Sequence, residues 1–216
     1  MKKLIFVSTG RCGTTRICEL LKEKLPNENY SVVHQMSFSR LANVMGNLLY
    51  YFWDIPSIRN FIYSAIIKKY DTKDYFISTD PLTSMLIPDD YVKSNDVFIV
   101  HIVREPSSFA KSMFNFSKQN WKSYFAHNFV PFWQPYLWPL ENLSSKSILS
   151  KYEKISVKKN NYFNNKYYMN SHYQKITMDE IFTTNFLENL FQEYFNCKVI
   201  INEHEYSIRS NTSNME

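Results

Sequence analysis

The chain has 216 residues, of which 44% are hydrophobic and 21% are charged, and this ordinary globular composition excludes a disordered or fibrous protein. The length suits one hydrophobic core, so we predict a single domain over residues 1–216. The formal net charge of +5 favours anionic partners but is too small for a dedicated nucleic-acid binder, so we expect no nucleic-acid partner.

The cellular setting is predicted from cysteine usage and apolar runs. Cys12, Cys18 and Cys197 form no CxxC pair and no His-spaced metal set, so we expect a reduced, cytoplasmic setting and no metal site. The first apolar run ends at Ser8, too early for a signal peptide. Charged residues and a proline interrupt the apolar zone over 44–67, which argues against a transmembrane helix and leaves open a peripheral membrane contact.

Strands and helices alternate in the predicted chain order. Apolar runs predict strands over 3–8, 30–33, 75–78, 97–103, 173–176 and 198–201. Helical spacing predicts helices over 14–25, 37–69 with a break near Pro56, 106–118 and 179–195. The segments 120–140 and 145–175 show no clean periodicity, and the second has seven lysines against one glutamate. This alternation predicts a three-layer α/β fold with a central, mainly parallel sheet flanked by helices.

Glycine is concentrated directly after the first predicted strand. The chain has three glycines, and Gly10 and Gly13 both fall in the segment STGRCGTTR. Glycine permits a positive φ and a close approach to a ligand, so successive amides and the next helix N-terminus can hold a phosphate. Arg11 adds a cation, and Thr14 and Thr15 add hydroxyl donors. The segment predicts a phosphate-binding loop, with a tight, Thr-capped turn as the alternative.

The spacing of this loop differs from the Walker A pattern GxxxxGK[ST], because two residues separate its glycines and no Lys-Ser or Lys-Thr follows the second. The run from Arg11 to Thr15 instead resembles the 5'-phosphosulfate loop of sulfotransferases that use 3'-phosphoadenosine-5'-phosphosulfate (PAPS). That loop has Lys or Arg, usually Ser, then Gly-Thr-Thr, and Cys12 stands here where Ser is usual. The resemblance implies a P-loop-like fold with PAPS as donor. The cofactor-binding residues it implies here are Gly10, Arg11, Cys12, Gly13, Thr14 and Thr15.

A second phosphate-binding pair is predicted downstream, in FIVHIVREPSSFAKSMF. In the same family a strand ends in Arg, and a Ser eight residues later joins it on the 3'-phosphate; Arg104 and Ser112 have this spacing. Two helical turns beyond a short elbow can return Ser112 towards Arg104, whose guanidinium suits a phosphate. Tyr173 begins a segment resembling the family's Tyr-Glu-Asp-Leu strand near adenine, without its two acids. Arg16 either stacks on adenine or faces water.

Two residues are candidates for the base that removes the acceptor's proton. His34 ends the second predicted strand, where the tyrosylprotein type of the family has a catalytic Glu. Asp80 lies 24 residues before Arg104, where cytosolic members have a catalytic His. Structural roles, a buried histidine and a helix cap, are the alternatives. We favour His34 because a neutral imidazole needs less pKa tuning than a carboxylate to accept a proton near neutral pH. Arg11 is the third predicted catalytic residue, on the leaving-group side. His101 is expected in the core.

The sequence therefore predicts a PAPS-dependent sulfotransferase acting on a hydroxyl or amine acceptor. Residues 36–70 and 120–170 form the predicted acceptor side, but no motif there selects among a saccharide, a phenolic molecule, a peptide tyrosine and a lipid-like molecule. A P-loop-like small-molecule kinase is one alternative, and the missing Walker lysine argues against it. A noncatalytic nucleotide- or RNA-binding module is the other, based on the lysine-rich 145–175 stretch, which a solvated face explains equally well.

Overall fold

The computed structural model describes residues 2–52, 55–134, 145–202 and 204–205. The strands of these residues are β1 (Lys2–Ser8), β2 (Tyr30–Val33), β3 (Tyr75–Ser78), β4 (Val97–Val103) and β5 (Tyr173–Thr177). They form one sheet in the order β2-β3-β1-β4-β5, and every pairing in it is parallel. The predicted α/β fold with a parallel central sheet is confirmed.

Helices cover both faces of the sheet. They are α1 (Thr14–Lys24), α2 (Ser39–Tyr51), α3 (Pro56–Ile67), α4 (Asp89–Lys93), α5 (Pro106–Ser117), α6 (Trp121–Phe129), α7 (Ser145–Tyr167), α8 (Met178–Thr183) and α9 (Phe186–Phe195). One face packs on α1, α8 and α9, and the other on α2, α3, α4 and α7. A third apolar cluster joins α5 to α7. Among the described residues, no helix has both the length and the apolar character required to cross a membrane.

Helix α7 occupies the lysine-rich segment in which no clean periodicity was expected. Positions three or four residues apart are nevertheless buried along it: Ile148, Tyr152, Ile155, Lys159, Phe163 and Tyr167. This stripe packs partly on α5 and partly on the sheet. The sequence shows no clean apolar periodicity here because tyrosines and a lysine fill positions that aliphatic residues usually take.

The C-terminal part differs from the prediction in two respects. The single helix expected over 179–195 is two helices, α8 and α9, and Thr184 between them is extended with φ −123° and ψ 165°. The strand expected over 198–201 is wrong, since the described residues 196–202 contain no strand. Val199 and Ile201 are buried beside α9, and the Ile201 amide donates to Glu188 Oε1 at 2.6 Å. Their apolar character reflects packing on a helix and not pairing in the sheet.

The strand order creates a crevice at one edge of the sheet. The connection that follows β1 leads to β2 on one side, whereas the connection that follows β4 leads to β5 on the other. The two strands are direct neighbours, with Ser8 opposite Ile102. Open parallel sheets bind ligands where adjacent connections diverge in this way, outside the carboxyl ends of the strands. The predicted phosphate loop and Arg104 both follow these ends.

Candidate functional site

The loop between β1 and α1 has the left-handed backbone that its glycines were predicted to allow. The φ angles of Gly10, Arg11 and Gly13 are 87°, 56° and 75°. A Cβ on Gly10 would meet no atom within 4 Å, whereas a Cβ on Gly13 would lie 2.4 Å from Cε2 of Phe182 in α8. The loop is therefore open at Gly10 and tightly packed at Gly13.

The N-terminus of α1 directs free amides out of this loop. Gly13 is the N-cap residue, and no side chain caps the helix there. The Ile17 amide donates to the Gly13 carbonyl oxygen at 3.1 Å, so the amides of Thr14, Thr15 and Arg16 precede the first intrahelical bond. The first turn of α1, described in full, contains no acidic residue. Such a helix end attracts an anion through its amides and its dipole.

Cys12 contributes its backbone and not its side chain to the loop surface. The side chain is fully buried in the cluster beneath α1. Its Sγ donates to the Gly10 carbonyl oxygen at 3.1 Å and lies 3.6 Å from Thr9 Oγ1. Burial raises the pKa of the thiol. A neutral, inward-facing thiol thus stands at the position where the resembled loop usually has serine.

Arg11, Arg104 and Ser112 come from separate segments and meet at the crevice. Arg11 Nε donates to Ser112 Oγ at 3.3 Å, and its Cζ lies 4.7 Å from the ring centroid of Phe116. Arg104 Nη1 donates to the Arg11 carbonyl oxygen at 2.8 Å, while its buried Nε has no hydrogen-bond partner. Burial, followed by the charge of Arg104, lowers the pKa of Arg11.

These two guanidinium groups are not paired with carboxylates in the described part of the chain, where neither forms a salt bridge. Partly buried charges of one sign are costly unless an opposite charge joins them. Together with the α1 amides, they could hold an anionic cofactor. For a metal ion, the described residues offer no group of three or more His, Cys, Asp or Glu side chains.

His34 is half-buried beside the first turn of α1. Its Nε2 lies 3.0 Å from Thr15 Oγ1, and its Nδ1 lies 2.9 Å from the carbonyl oxygen and 3.2 Å from Oγ1 of Thr79. A carbonyl oxygen can only accept, so Nδ1 carries the proton and Nε2 accepts from the Thr15 hydroxyl. The basic nitrogen therefore faces the α1 N-terminus.

Asp80 is 1% exposed, and backbone amides occupy both of its oxygens. Its Oδ1 accepts from Leu82 N and its Oδ2 from Met36 N, each at 2.9 Å. Burial raises the pKa of this carboxyl, and the two amide bonds act in the opposite direction. Asp80 joins the segment that follows β3 to the turn that carries His34.

The structure does not bring Tyr173 or Arg16 to the crevice. Tyr173 pairs with Ile99 at the start of β5, and its hydroxyl lies 2.8 Å from Nδ1 of His101, which is fully buried as expected. Arg16 donates to the Glu205 carbonyl oxygen at 2.6 and 3.2 Å. Arg16 was expected either to stack on adenine or to face water, and this contact with the C-terminal segment matches neither role.

Sequence reasoning missed a cluster near Arg11 that is formed by His127 and two buried lysines, Lys151 and Lys159. His127 of α6 packs edge-on against Phe116, with ring centroids 5.7 Å apart. Burial, followed by the charges of Lys159, Lys151 and Arg11, lowers the pKa of His127 to about 4. The sequence feature that could have indicated this cluster is Lys159, which interrupts the apolar stripe of α7 at a buried position.

Comparisons with known proteins give one structural similarity. No family model matches the sequence, and no curated protein sequence matches it significantly. Among solved structures, the chain is similar to a sulfotransferase domain from the curacin biosynthetic pathway, with 11% sequence identity and a TM-score of 0.43. The similarity covers 94% of this chain and 76% of that domain.

Proposed function

We propose that the chain is a sulfotransferase that transfers the sulfuryl group of PAPS to a hydroxyl or amine acceptor. The observation that carries this proposal is the contact between Arg11 and Arg104 at the crevice between β1 and β4, with no carboxylate bridging to either in the described residues. The order of residues from Arg11 to Thr15 and the spacing of Arg104 and Ser112 support it through their resemblance to the family's two phosphate-binding segments.

The residues present fit a nucleotide with phosphates at two positions. The buried Nε of Arg104 lacks a partner, and open space faces Gly10. We assign the 3'-phosphate to Arg104 and Ser112. The Ser112 hydroxyl accepts from Arg11 and can still donate its own proton to a phosphate oxygen. We assign the 5'-side to the loop, namely Gly10, Arg11, the backbone of Cys12, Gly13, Thr14 and Thr15.

The catalytic roles follow from the same positions. PAPS, when bound, supplies an activated sulfuryl group. In this proposal Arg11 stabilises the negative charge that develops on the leaving phosphate. His34 Nε2 accepts the proton of the acceptor, and its contact with Thr15 Oγ1 supports the approach of a hydroxyl to this nitrogen. Thr79 fixes the required tautomer, and Asp80 positions the turn that holds His34.

The acceptor side is proposed to lie between α2 and the segment that follows α6. Asn43 and Asn47 of α2 each donate to a backbone oxygen of that segment at 2.7 Å, the first to Trp133 and the second to Phe132. The two regions predicted to face the acceptor, 36–70 and 120–170, are therefore joined here. Residues 135–144 of the second region lie outside the described residues.

Calorimetry on the full chain tests the proposal. We expect 3'-phosphoadenosine-5'-phosphate (PAP) to bind more tightly than adenosine-5'-phosphate, because only PAP has the phosphate assigned to Arg104. Arg104→Ala should erase this preference and weaken PAP binding by about 10- to 150-fold, the equivalent of one charge-assisted contact of about 1.5–3 kcal/mol. Lys111→Ala removes an exposed cation of α5 and is the matched control.

Equal affinity of the wild-type chain for the two nucleotides would overturn the assignment. Tight binding of ATP that requires magnesium would instead favour a kinase. With PAP binding established, transfer from labelled PAPS to a panel of hydroxyl and amine acceptors measures the activity directly.

A further inference from the structure

Two lysines of α7 are buried beside the proposed site. Lys151 and Lys159 are 7% and 5% exposed. Lys151 Nζ lies 3.4 Å from the carbonyl oxygen of His127. Among the described residues, none forms an ion pair with Lys159, and its burial is a property of the side chain as a whole. Lysine is almost never buried unless it is paired, so both positions require an explanation.

The position of Lys159 makes its burial a specific feature. It lies four residues from both Ile155 and Phe163 in the buried stripe, where an apolar side chain would pack without an ionic cost. Burial lowers the pKa of each lysine to about 8. Both ammonium groups therefore remain largely protonated near neutral pH, and they favour an external anion as the missing partner.

Both lysines lie close enough to His127 for their charges to act on its imidazole, and Lys151 contacts its carbonyl oxygen. The charges that act on this imidazole, from Lys159, Lys151 and Arg11, are all positive. Gln134 Nε2 lies 2.8 Å from His127 Nδ1, so the amide donates to Nδ1 and the neutral ring carries its proton on Nε2. The group thus presents two ammonium groups and one imidazole N–H, all of them donors.

This group is adjacent to the nucleotide site but separate from Arg104. The ring of Phe116 contacts both His127 and the guanidinium of Arg11, at 5.7 Å from the first and 4.7 Å from the second. His127 also packs edge-on against Trp133, at 5.9 Å between ring centroids, in the segment assigned to the acceptor side. An anion bound here would lie close to Phe116, which contacts Arg11, and to Trp133 of the acceptor side.

We propose that Lys151, Lys159 and His127 bind an anionic group of the acceptor, a carboxylate or a sulfate or phosphate ester. The assignment to the acceptor rests on the proposed function, whereas the anion site itself does not. It narrows the acceptor to molecules that carry a negative charge in addition to the hydroxyl or amine that is modified.

Thermal unfolding with saturating PAP tests this site, because PAP then fills the nucleotide site. Inorganic sulfate, added at constant ionic strength against sodium chloride, should raise the unfolding temperature of the wild-type chain further. Phosphate and acetate arms separate a preference for tetrahedral anions from one for carboxylates. Lys159→Met should abolish the added shift, and Lys154→Met, an exposed lysine of α7, should retain it.

A second readout separates binding from a structural role. Without an added anion, Lys159→Met should unfold at or above the wild-type temperature, because methionine replaces a buried ammonium group. In transfer assays, the wild type should prefer a phenol with a carboxylate over its neutral carboxamide by about tenfold or more, consistent with a contact of about 1.5 kcal/mol or more. Lys159→Met should lose this preference.

Equal sulfate shifts in the wild type and Lys159→Met would overturn the anion site. Weakened PAP binding in Lys159→Met, as in Arg104→Ala, would place the lysine in the nucleotide site and overturn the acceptor assignment. A chain that does not bind PAP but is protected by sulfate through Lys159 would retain the anion site and lose the proposed function. If Lys159→Met does not fold, Lys151→Met is subject to the same criteria.

Discussion

His34 and Asp80 are joined through one turn of the chain, but they offer different atoms to a substrate. The imidazole keeps Nε2 as an acceptor beside Thr15, because Nδ1–H is bound to the Thr79 carbonyl oxygen. Each carboxylate oxygen of Asp80 already accepts a backbone amide, from Met36 and Leu82. A base must reach the proton that it removes. Asp80 is 1% exposed whereas the imidazole is half-buried, so an acceptor molecule can approach the imidazole more readily.

We therefore expect His34→Ala to lower single-turnover transfer by about 10²- to 10⁴-fold while PAP affinity is maintained. Asp80→Asn should keep most of the activity but lose about 1–3 kcal/mol of unfolding free energy, because one amide loses its acceptor. Urea denaturation measures the second effect. His172→Ala removes a histidine stacked on Phe98 and is the control.

The opposite pattern would make Asp80 the base. Near wild-type turnover in both variants would show that neither residue removes the proton.

The sequence predicted which residues reach the crevice better than it predicted their contacts. The glycines, Arg11 and Arg104 follow strand ends, and parallel strands bring such ends to one edge. The side-chain contacts depend on packing that no motif specifies. Arg11 and not Arg104 hydrogen-bonds to Ser112, because the Arg11 guanidinium lies over Phe116.

At the scale of elements, α7 shows how a buried helix can escape recognition. Its stripe includes Tyr152 and Tyr167, whose rings pack as apolar groups, and Lys159, whose charge hides the pattern. Residues 198–201 show the reverse error, since an apolar run packs on α9 without pairing in the sheet. An apolar pattern indicates which residues are buried. Whether those residues lie in a helix, a strand or an irregular segment depends on tertiary packing.

The start of α1 depends on a glycine for two separate reasons. Gly13 has φ 75°, and a Cβ there would lie 2.4 Å from Phe182. Gly10 has φ 87° but open space. We expect Gly13→Ala to lower the unfolding free energy by about 2–5 kcal/mol, through backbone strain and overpacking, and Gly10→Ala by about 1–2 kcal/mol, through strain alone.

Urea denaturation of both variants and of the double variant Gly13→Ala/Phe182→Leu checks this prediction. The smaller leucine should recover part of the loss at Gly13. Equal losses at the two glycines, with no recovery, would show that α8 does not constrain the loop.

At the scale of the molecule, strand order turns a modest net charge into a concentrated positive field. Arg11, Arg104 and the pair Lys151 and Lys159 come from three segments, and the order β2-β3-β1-β4-β5 places the first two residues at one crevice. The alternation of strands and helices predicted a parallel sheet, but it did not specify this order. Strand order arises from how the helices pack on each face, which local sequence does not encode.

Two buried histidines make the packing of α7 sensitive to acid. His101 connects β4 to α7 through Asn160, with Nε2 3.0 Å from Oδ1, and His127 connects α6 to the lysines. Burial is the largest cause that lowers the pKa of each to about 4, from an ordinary value of 6.5. Between pH 6.5 and 4 the unfolded chain therefore binds more protons than the folded one, and the unfolding free energy falls as pH decreases.

His101 alone should account for a loss on the order of 3 kcal/mol across that window, with the stability fully present above pH 6.5. Burial raises the pKa of the Asp80 carboxyl, so this group increases the unfolding free energy as the pH falls. The effect of His101 is therefore measured by comparing a His101 variant with the wild type. Urea denaturation between pH 7.5 and 4.5 should give a shallower pH dependence for His101→Gln than for the wild type, because glutamine does not gain a proton in the unfolded chain. Parallel curves for the two proteins would show that His101 does not couple folding to protonation.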